Sequence, residues 1–109
     1  MVYLITAEQL GISDEGPGIN LMNNFLHELA ERQTTPEAIA LVNKGVKLAA
    51  EGSGAFEDLK RLSKRGCDVL ACGMCLKHYG LIDKVGVGRI SNMAEITGIL
   101  DSAERTVTL

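Results

Sequence analysis

Apolar residues fall along this chain in two alternating rhythms. The run Val2-Tyr3-Leu4-Ile5-Thr6 is compact and partly β-branched, and it predicts a short buried strand. Residues 11–18 hold three glycines and a proline and read as a loop. The period then changes. Met22, Phe25, Leu26 and Leu29 recur at i, i+3, i+4 and i+7, which predicts a helix over 19–32 with one buried stripe. Thr34-Thr35-Pro36 breaks it, and 38–42 is a second strand, apolar on both faces as in a parallel sheet covered on both sides. Residues 46–50 predict one or two helical turns. Ser53 is placed to cap a following helix that carries Ala55, Leu59 and Leu62 on one side, with Gly66 as its C′ residue. A third strand over 67–71, a short helix over 72–79 stopped by Gly80, and a weak fourth strand over 84–87 come next. Asn92, with Glu95, approximates a capping box for a last helix bearing Met93, Ile96, Ile99 and Leu100, before a final strand over 106–109.

Strands alternating with helices predict βαβ units. The expected fold is α/β, a three-layer open, mostly parallel twisted sheet of about five strands with helices on both faces. Residues 1–109 form a single domain on this reading, with no internal repeat or linker. Ligand sites in such folds lie beyond the carboxyl ends of the strands. Four segments are delivered there: 11–18, Asn43-Lys44-Gly45, Cys72–Cys75 and 88–92.

Charge and composition narrow the functional classes. The net charge is −3 with only 4% aromatic residues, so there is neither a basic footprint nor a set of stacking rings for nucleic acid. No stretch approaches the length of a bilayer span, and the apolar start lacks the basic region of a signal peptide. Three cysteines without a secretion signal point to reduced thiols, hence a cytoplasmic protein.

The candidate chemistry is at Cys72 and Cys75. Cys72 follows a strand and opens a helix, where unpaired N–H groups favour thiolate over thiol and mark it as the nucleophile. Cys75, three residues on, is within reach of a bond to Cys72 and able to resolve a persulfide or form a reversible disulfide. Gly73 lets the backbone approach a substrate. Cys67, in an apolar strand, reads as a small buried hydrophobe. Zinc would find three ligands in Cys72, Cys75 and His78 but no fourth, so no metal and no cofactor is expected. Residues 11–18 read equally as a lid or as a solvated connection. They are not a phosphate loop, since no Gly-Lys-Ser/Thr ending follows. Lys47 reads as a surface lysine or a neighbour of the thiolate, and Asn43 as a site hydrogen-bond partner or an Asx turn. His78 reads as a proton-transfer group or a residue facing away. His27 reads as solvent-facing, and Met22 and Met93 as core fillers.

The runs Cys72-Gly73-Met74-Cys75-Leu76, Tyr79-Gly80-Leu81, Val87-Gly88 and Ser91-Asn92-Met93 closely resemble the signature of the DsrE/DsrF-like family. They are most similar to its YedF-type subgroup linked to selenium metabolism. Asn43 with Gly45-Val46-Lys47-Leu48, and Gly52-Ser53, extend the likeness over nearly the whole chain. The resemblance implies a sulfur relay in which Cys72 carries a persulfide and Cys75 is the second cysteine, with Asn43, Gly73, Met74, Ser91 and Asn92 as binding residues. It also implies homo-oligomers with sulfur-donor and sulfur-acceptor proteins as partners. Relatives of that type often carry a small sulfur-carrier domain ahead of this one, so a stand-alone version or an excised domain is expected. Two departures stand out: Met74 replaces a small Thr or Ser, and the 11–18 loop lacks the subgroup's basic residue and Leu-Gly.

Three functions compete on these grounds. The first is a sulfurtransferase-like carrier of sulfur or selenium on Cys72, with Cys75 resolving. The second is a thiol–disulfide oxidoreductase using the same pair, although Pro17 and Pro36 do not sit where a facing cis-proline would be expected. The third is a non-catalytic homo-oligomeric binding module.

Overall fold

The computed structural model describes residues 1–12 and 16–109. The middle of the 11–18 loop therefore lies outside the described residues. Five strands form one parallel sheet: β1 (Val2–Ile5), β2 (Ala38–Leu41), β3 (Asp68–Cys72), β4 (Arg89–Ser91) and β5 (Thr106–Thr108), in the order β4-β3-β2-β1-β5. Among the described residues four α-helices connect them: α1 (Gly18–Glu31), α2 (Phe56–Lys64), α3 (Gly73–His78) and α4 (Met93–Ser102). A 3-10 helix, Asn43–Ala49, follows β2.

Strand alternation sorts the core into two layers. Ile5, Ile39, Leu41, Val69 and Ala71 pack with Met22, Leu26 and Leu29 of α1 and Leu59 and Leu62 of α2. Val2, Ala38 and Leu70 turn the other way, against Ile99 and Leu100 of α4 and Ala103 just past its end. β2 is buried at every position, as expected of a central parallel strand. The predicted stripe of α1 is real, with Met22, Leu26 and Leu29 buried. At its C-terminus, Arg61 of α2 and Arg65, which follows α2, donate to the carbonyl of Ala30, and Arg65 also to that of Arg32. These guanidiniums satisfy acceptors that a helix end leaves bare.

Several expectations give way. The fourth strand is Arg89–Ser91 rather than 84–87. Gly88 turns the chain at φ 76°, and a Cβ there would overlap the Val69 carbonyl oxygen and lie 2.9 Å from Val69 Cβ. Only after this close approach does the strand pair with β3, held by Arg89 bidentate on Asp68 at 3.0 and 2.9 Å. Val87 instead drops into the core, and Val85 makes one antiparallel bridge to Ala50. Ser53 does not cap α2; its hydroxyl donates to the Leu48 carbonyl at 2.7 Å. Met93 is half exposed rather than a core filler, because it stands in the first turn of α4, one turn before the buried Ile96. Asn92 does cap that helix, accepting the Glu95 N–H at 2.9 Å. Among the described residues no helix is long and apolar enough to cross a membrane.

Candidate functional site

β3 ends at Cys72, whose backbone is extended and forms the N-cap of α3. Cys75 therefore lies in the first turn, on the side of Cys72. The two sulfurs occupy different surroundings. Cys72 is only 2% exposed and belongs to the core, whereas Cys75 is half-buried and packs against that core from outside. Cys72, expected from the sequence to be the nucleophile, does not stand open to a visitor. The strand carries its side chain into the interior before the helix begins.

Cys75 faces a pocket of about 300 Å³ lined by Asn43, Met74, Cys75, His78 and Tyr79. Asn43 is the first residue of the 3-10 helix after β2 and sits in the left-handed region at φ 52°, a conformation asparagine tolerates better than most side chains. That turn aims its backbone N–H at the Cys75 sulfur, 3.1 Å away. The Asn43 side chain is held in turn, its Oδ1 accepting the Tyr79 hydroxyl at 3.0 Å. Lys47 Nζ lies 5.2 Å from the centre of the Tyr79 ring and 3.9 Å from Glu8, and the His78 ring meets Tyr79 edge-on at 4.9 Å. Gly45 makes the arrangement possible, because the 3-10 helix presses against the end of β1 there.

Burial holds the Cys75 thiol above its ordinary value of 9.0. The Asn43 N–H pulls the other way, and the neighbouring Cys72 thiol adds to the rise. Cys67, sealed in the core beside Asp68, is pushed up to about 12 by burial first and the carboxylate second. Cys75 is thus the one cysteine with both an opening and a donor aimed at its sulfur. No cluster suited to a metal ion occurs among the described residues.

The other expected binding residues divide. Asn43 and Met74 line the pocket, Met74 with 74% of its surface free. Gly73 serves packing, since a Cβ there would lie 3.2 Å from both Ile90 Cγ2 and the Ser91 carbonyl oxygen. Ser91 pairs with Cys72 across the sheet, and its hydroxyl donates to Glu95. Asn92 is occupied as the α4 cap. Tyr79 carries no role in the sequence reading. Its spacing of four from Cys75, which puts both on one side of a helix, is the signal that could have found it. A larger cavity of about 570 Å³ lies at the other end of the sheet, between Tyr3, Phe25, Arg32, Thr35 and Arg105, and no cysteine lines it.

Comparison with known proteins fits this geometry to a family. The model described as "DsrE/DsrF-like family" matches residues 12–109. No curated protein matches the chain. Among solved structures, the YchN protein from E. coli superposes with a TM-score of 0.71 at 15% identity, covering 99% of this chain and 97% of that one. A protein of unknown function from Methanobacterium thermoautotrophicum, MTH1491, gives 0.67 at 18% identity, covering 99% and 96%. BT1422 from Bacteroides thetaiotaomicron gives 0.64 at 17%, covering 99% and 93%. These likenesses extend over the whole five-stranded fold.

Proposed function

Because the chain belongs to the DsrE/DsrF-like family, we propose that it is a sulfur carrier that loads sulfane sulfur as a persulfide on the Cys72–Cys75 pair. Loading takes place on Cys75. The observation that carries this reading is the Cys75 sulfur, which faces the pocket and accepts the Asn43 N–H at 3.1 Å. Cys72, the residue the family likeness favours, is too deeply buried to meet a donor.

The step is an exchange between sulfurs. The Cys75 thiolate attacks the outer sulfur of a donor persulfide. A bond forms from Cys75 Sγ to that sulfur, the donor's S–S bond breaks, and the donor leaves as a thiol with the proton Cys75 gave up. Oxidation states are unchanged overall. Handing on runs the same step in reverse, with an acceptor thiolate attacking the outer sulfur and Cys75 leaving. Cys75 Sγ carries the negative charge as nucleophile before loading and regains it as leaving group on handing on, and in both states the Asn43 N–H steadies it. The run Cys72-Gly73-Met74-Cys75-Leu76 supports a place in the YedF-type, selenium-linked subgroup, and selenium would follow the same path. Ile90, 48% exposed on edge strand β4, supports self-association.

The test is intact-mass analysis after exposure to inorganic polysulfide. A gain of one sulfur is expected in Cys72→Ser and not in Cys75→Ser. Absence of any adduct removes the carrier reading, and an adduct that persists in Cys75→Ser and not in Cys72→Ser returns the sulfur to Cys72.

A further inference from the structure

The buried sulfur behind the loaded one has chemistry of its own. Cys72 is the N-cap of α3 and Cys75 its third residue, a separation that brings an N-cap side chain to the third position of the first turn. Cys75 packs against the cluster that holds Cys72, and the Cys72 thiol is near enough to help hold the Cys75 thiol above its ordinary value. Cys72 is 2% exposed. It cannot be reached by a donor, an acceptor or a bulk oxidant, and Cys75 Sγ is the neighbour it can attack. A sulfur carried on Cys75 points outward, into the pocket between Asn43, Met74, His78 and Tyr79. From inside the core, Cys72 meets the inner sulfur of the persulfide and not the outer one.

We infer that the chain has a second activity, resting on the carrier reading above: reductive release of sulfide from its own persulfide by Cys72. The Cys72 sulfur attacks Cys75 Sγ, the Cys72–Cys75 disulfide forms, and the bond from Cys75 Sγ to the outer sulfur breaks. The outer sulfur leaves as hydrogen sulfide with the proton from Cys72. It is reduced from sulfane to sulfide, and the two cysteine sulfurs supply the electrons as they become a disulfide. An external dithiol then reduces the disulfide and resets the pair. The outcome depends on timing. An acceptor that arrives first takes the outer sulfur intact; without one, Cys72 discharges it. Placing the resolving thiol in the core, where only its partner is within reach, keeps that discharge internal.

The experiment follows one turnover of reduced, reductant-free protein. The chain is mixed with inorganic polysulfide, desalted rapidly and sampled over time. Sulfide is trapped with a fluorescent alkylating bimane, and the intact mass is read after quenching with iodoacetamide. Wild type is expected to release one sulfide per chain and to end as a disulfide, two hydrogens lighter than the reduced chain. Cys72→Ser is expected to keep its extra sulfur, with release slowed ~100-fold or more, within the advantage of an intramolecular attack. Cys72→Ala leaves no hydroxyl in the core and serves as the second variant if the serine form folds poorly. A wild type that holds its added sulfur as long as Cys72→Ala, without a Cys72–Cys75 disulfide, overturns the inference and leaves the carrier reading standing. If no form of the protein takes up sulfur, the carrier reading itself fails and this inference with it.

Discussion

Replacing Gly45 by alanine tests the contact on which the site is built. A Cβ at Gly45 would overlap the Ile5 carbonyl oxygen, lie 3.0 Å from the Ile5 carbonyl carbon and 3.5 Å from the Ala7 nitrogen. All three are backbone atoms, and the same Ile5 oxygen already accepts the Val42 N–H at 3.0 Å. No side-chain rotation relieves the overlap, so the 3-10 helix must move off the end of β1. Overpacking of this kind costs about 2–3 kcal/mol, at the upper end of its usual range. The smaller unfolded-state entropy of alanine returns up to about 1 kcal/mol. A net loss of about 2 kcal/mol corresponds to a melting temperature lower by about 8 °C in a chain of this size. Gly98 supplies the control. It lies within α4, and nothing stands within 4 Å of its would-be Cβ. There the same substitution is expected to stabilise by about 0.5–1 kcal/mol, raising the melting temperature by about 2–4 °C. Thermal unfolding followed by circular dichroism reads both. Because Asn43 is two residues from Gly45, native alkylation of Cys75 should also change in Gly45→Ala and not in Gly98→Ala. If Gly45→Ala melts within about 2 °C of wild type, or both variants shift in the same direction, the close approach does not govern the 3-10 helix.

Three further outcomes follow from the same packing. Under native conditions iodoacetamide should modify Cys75 alone. Its rate should rise with pH past 9.0, since burial holds that thiol above this ordinary value, with Cys67 and Cys72 labelled only on unfolding; native labelling of Cys72 first would reverse the assignment of the exposed sulfur. Tyr79→Phe removes the hydroxyl bonded to Asn43 Oδ1, at about 0.5–1.5 kcal/mol of stability. It should also move the Cys75 alkylation profile to higher pH as the Asn43 N–H loses its aim, and an unmoved profile limits Tyr79 to packing. Glu95 is held below its ordinary value of 4.5, by Arg89 first and Ser91 second. A folded value below the unfolded one gives stability that is whole above pH 4.5 and is lost as pH falls through the folded value. The gap in melting temperature between wild type and Glu95→Gln should therefore be widest near neutrality and close in acid, and a gap independent of pH speaks against the ion pair.

Much of the architecture was legible because it depends on local periodicity. The apolar run at 38–42 and the helical stripe of Met22, Leu26 and Leu29 report burial directly, since each side of a strand or helix meets one environment. The cap at Asn92 and the stops at Gly66 and Gly80 were readable because they are local backbone chemistry, and both glycines do take positive φ. The fourth strand was misplaced for the opposite reason. Val85 and Val87 have strand character, but the pairing begins only where Gly88 lets the chain approach β3 and Asp68 holds Arg89.

The sequence by itself determined that a Cys-x-x-Cys pair stands at the end of a buried parallel strand, because that follows from spacing and from the direction of the chain. It did not determine which sulfur faces outward. That is decided by how β3 delivers Cys72 into the core and by a turn at Asn43, thirty-two residues from Cys75, which brings a backbone N–H to the second sulfur. Exposure and hydrogen bonding across such a separation are properties of packing between distant segments, and no local pattern encodes them.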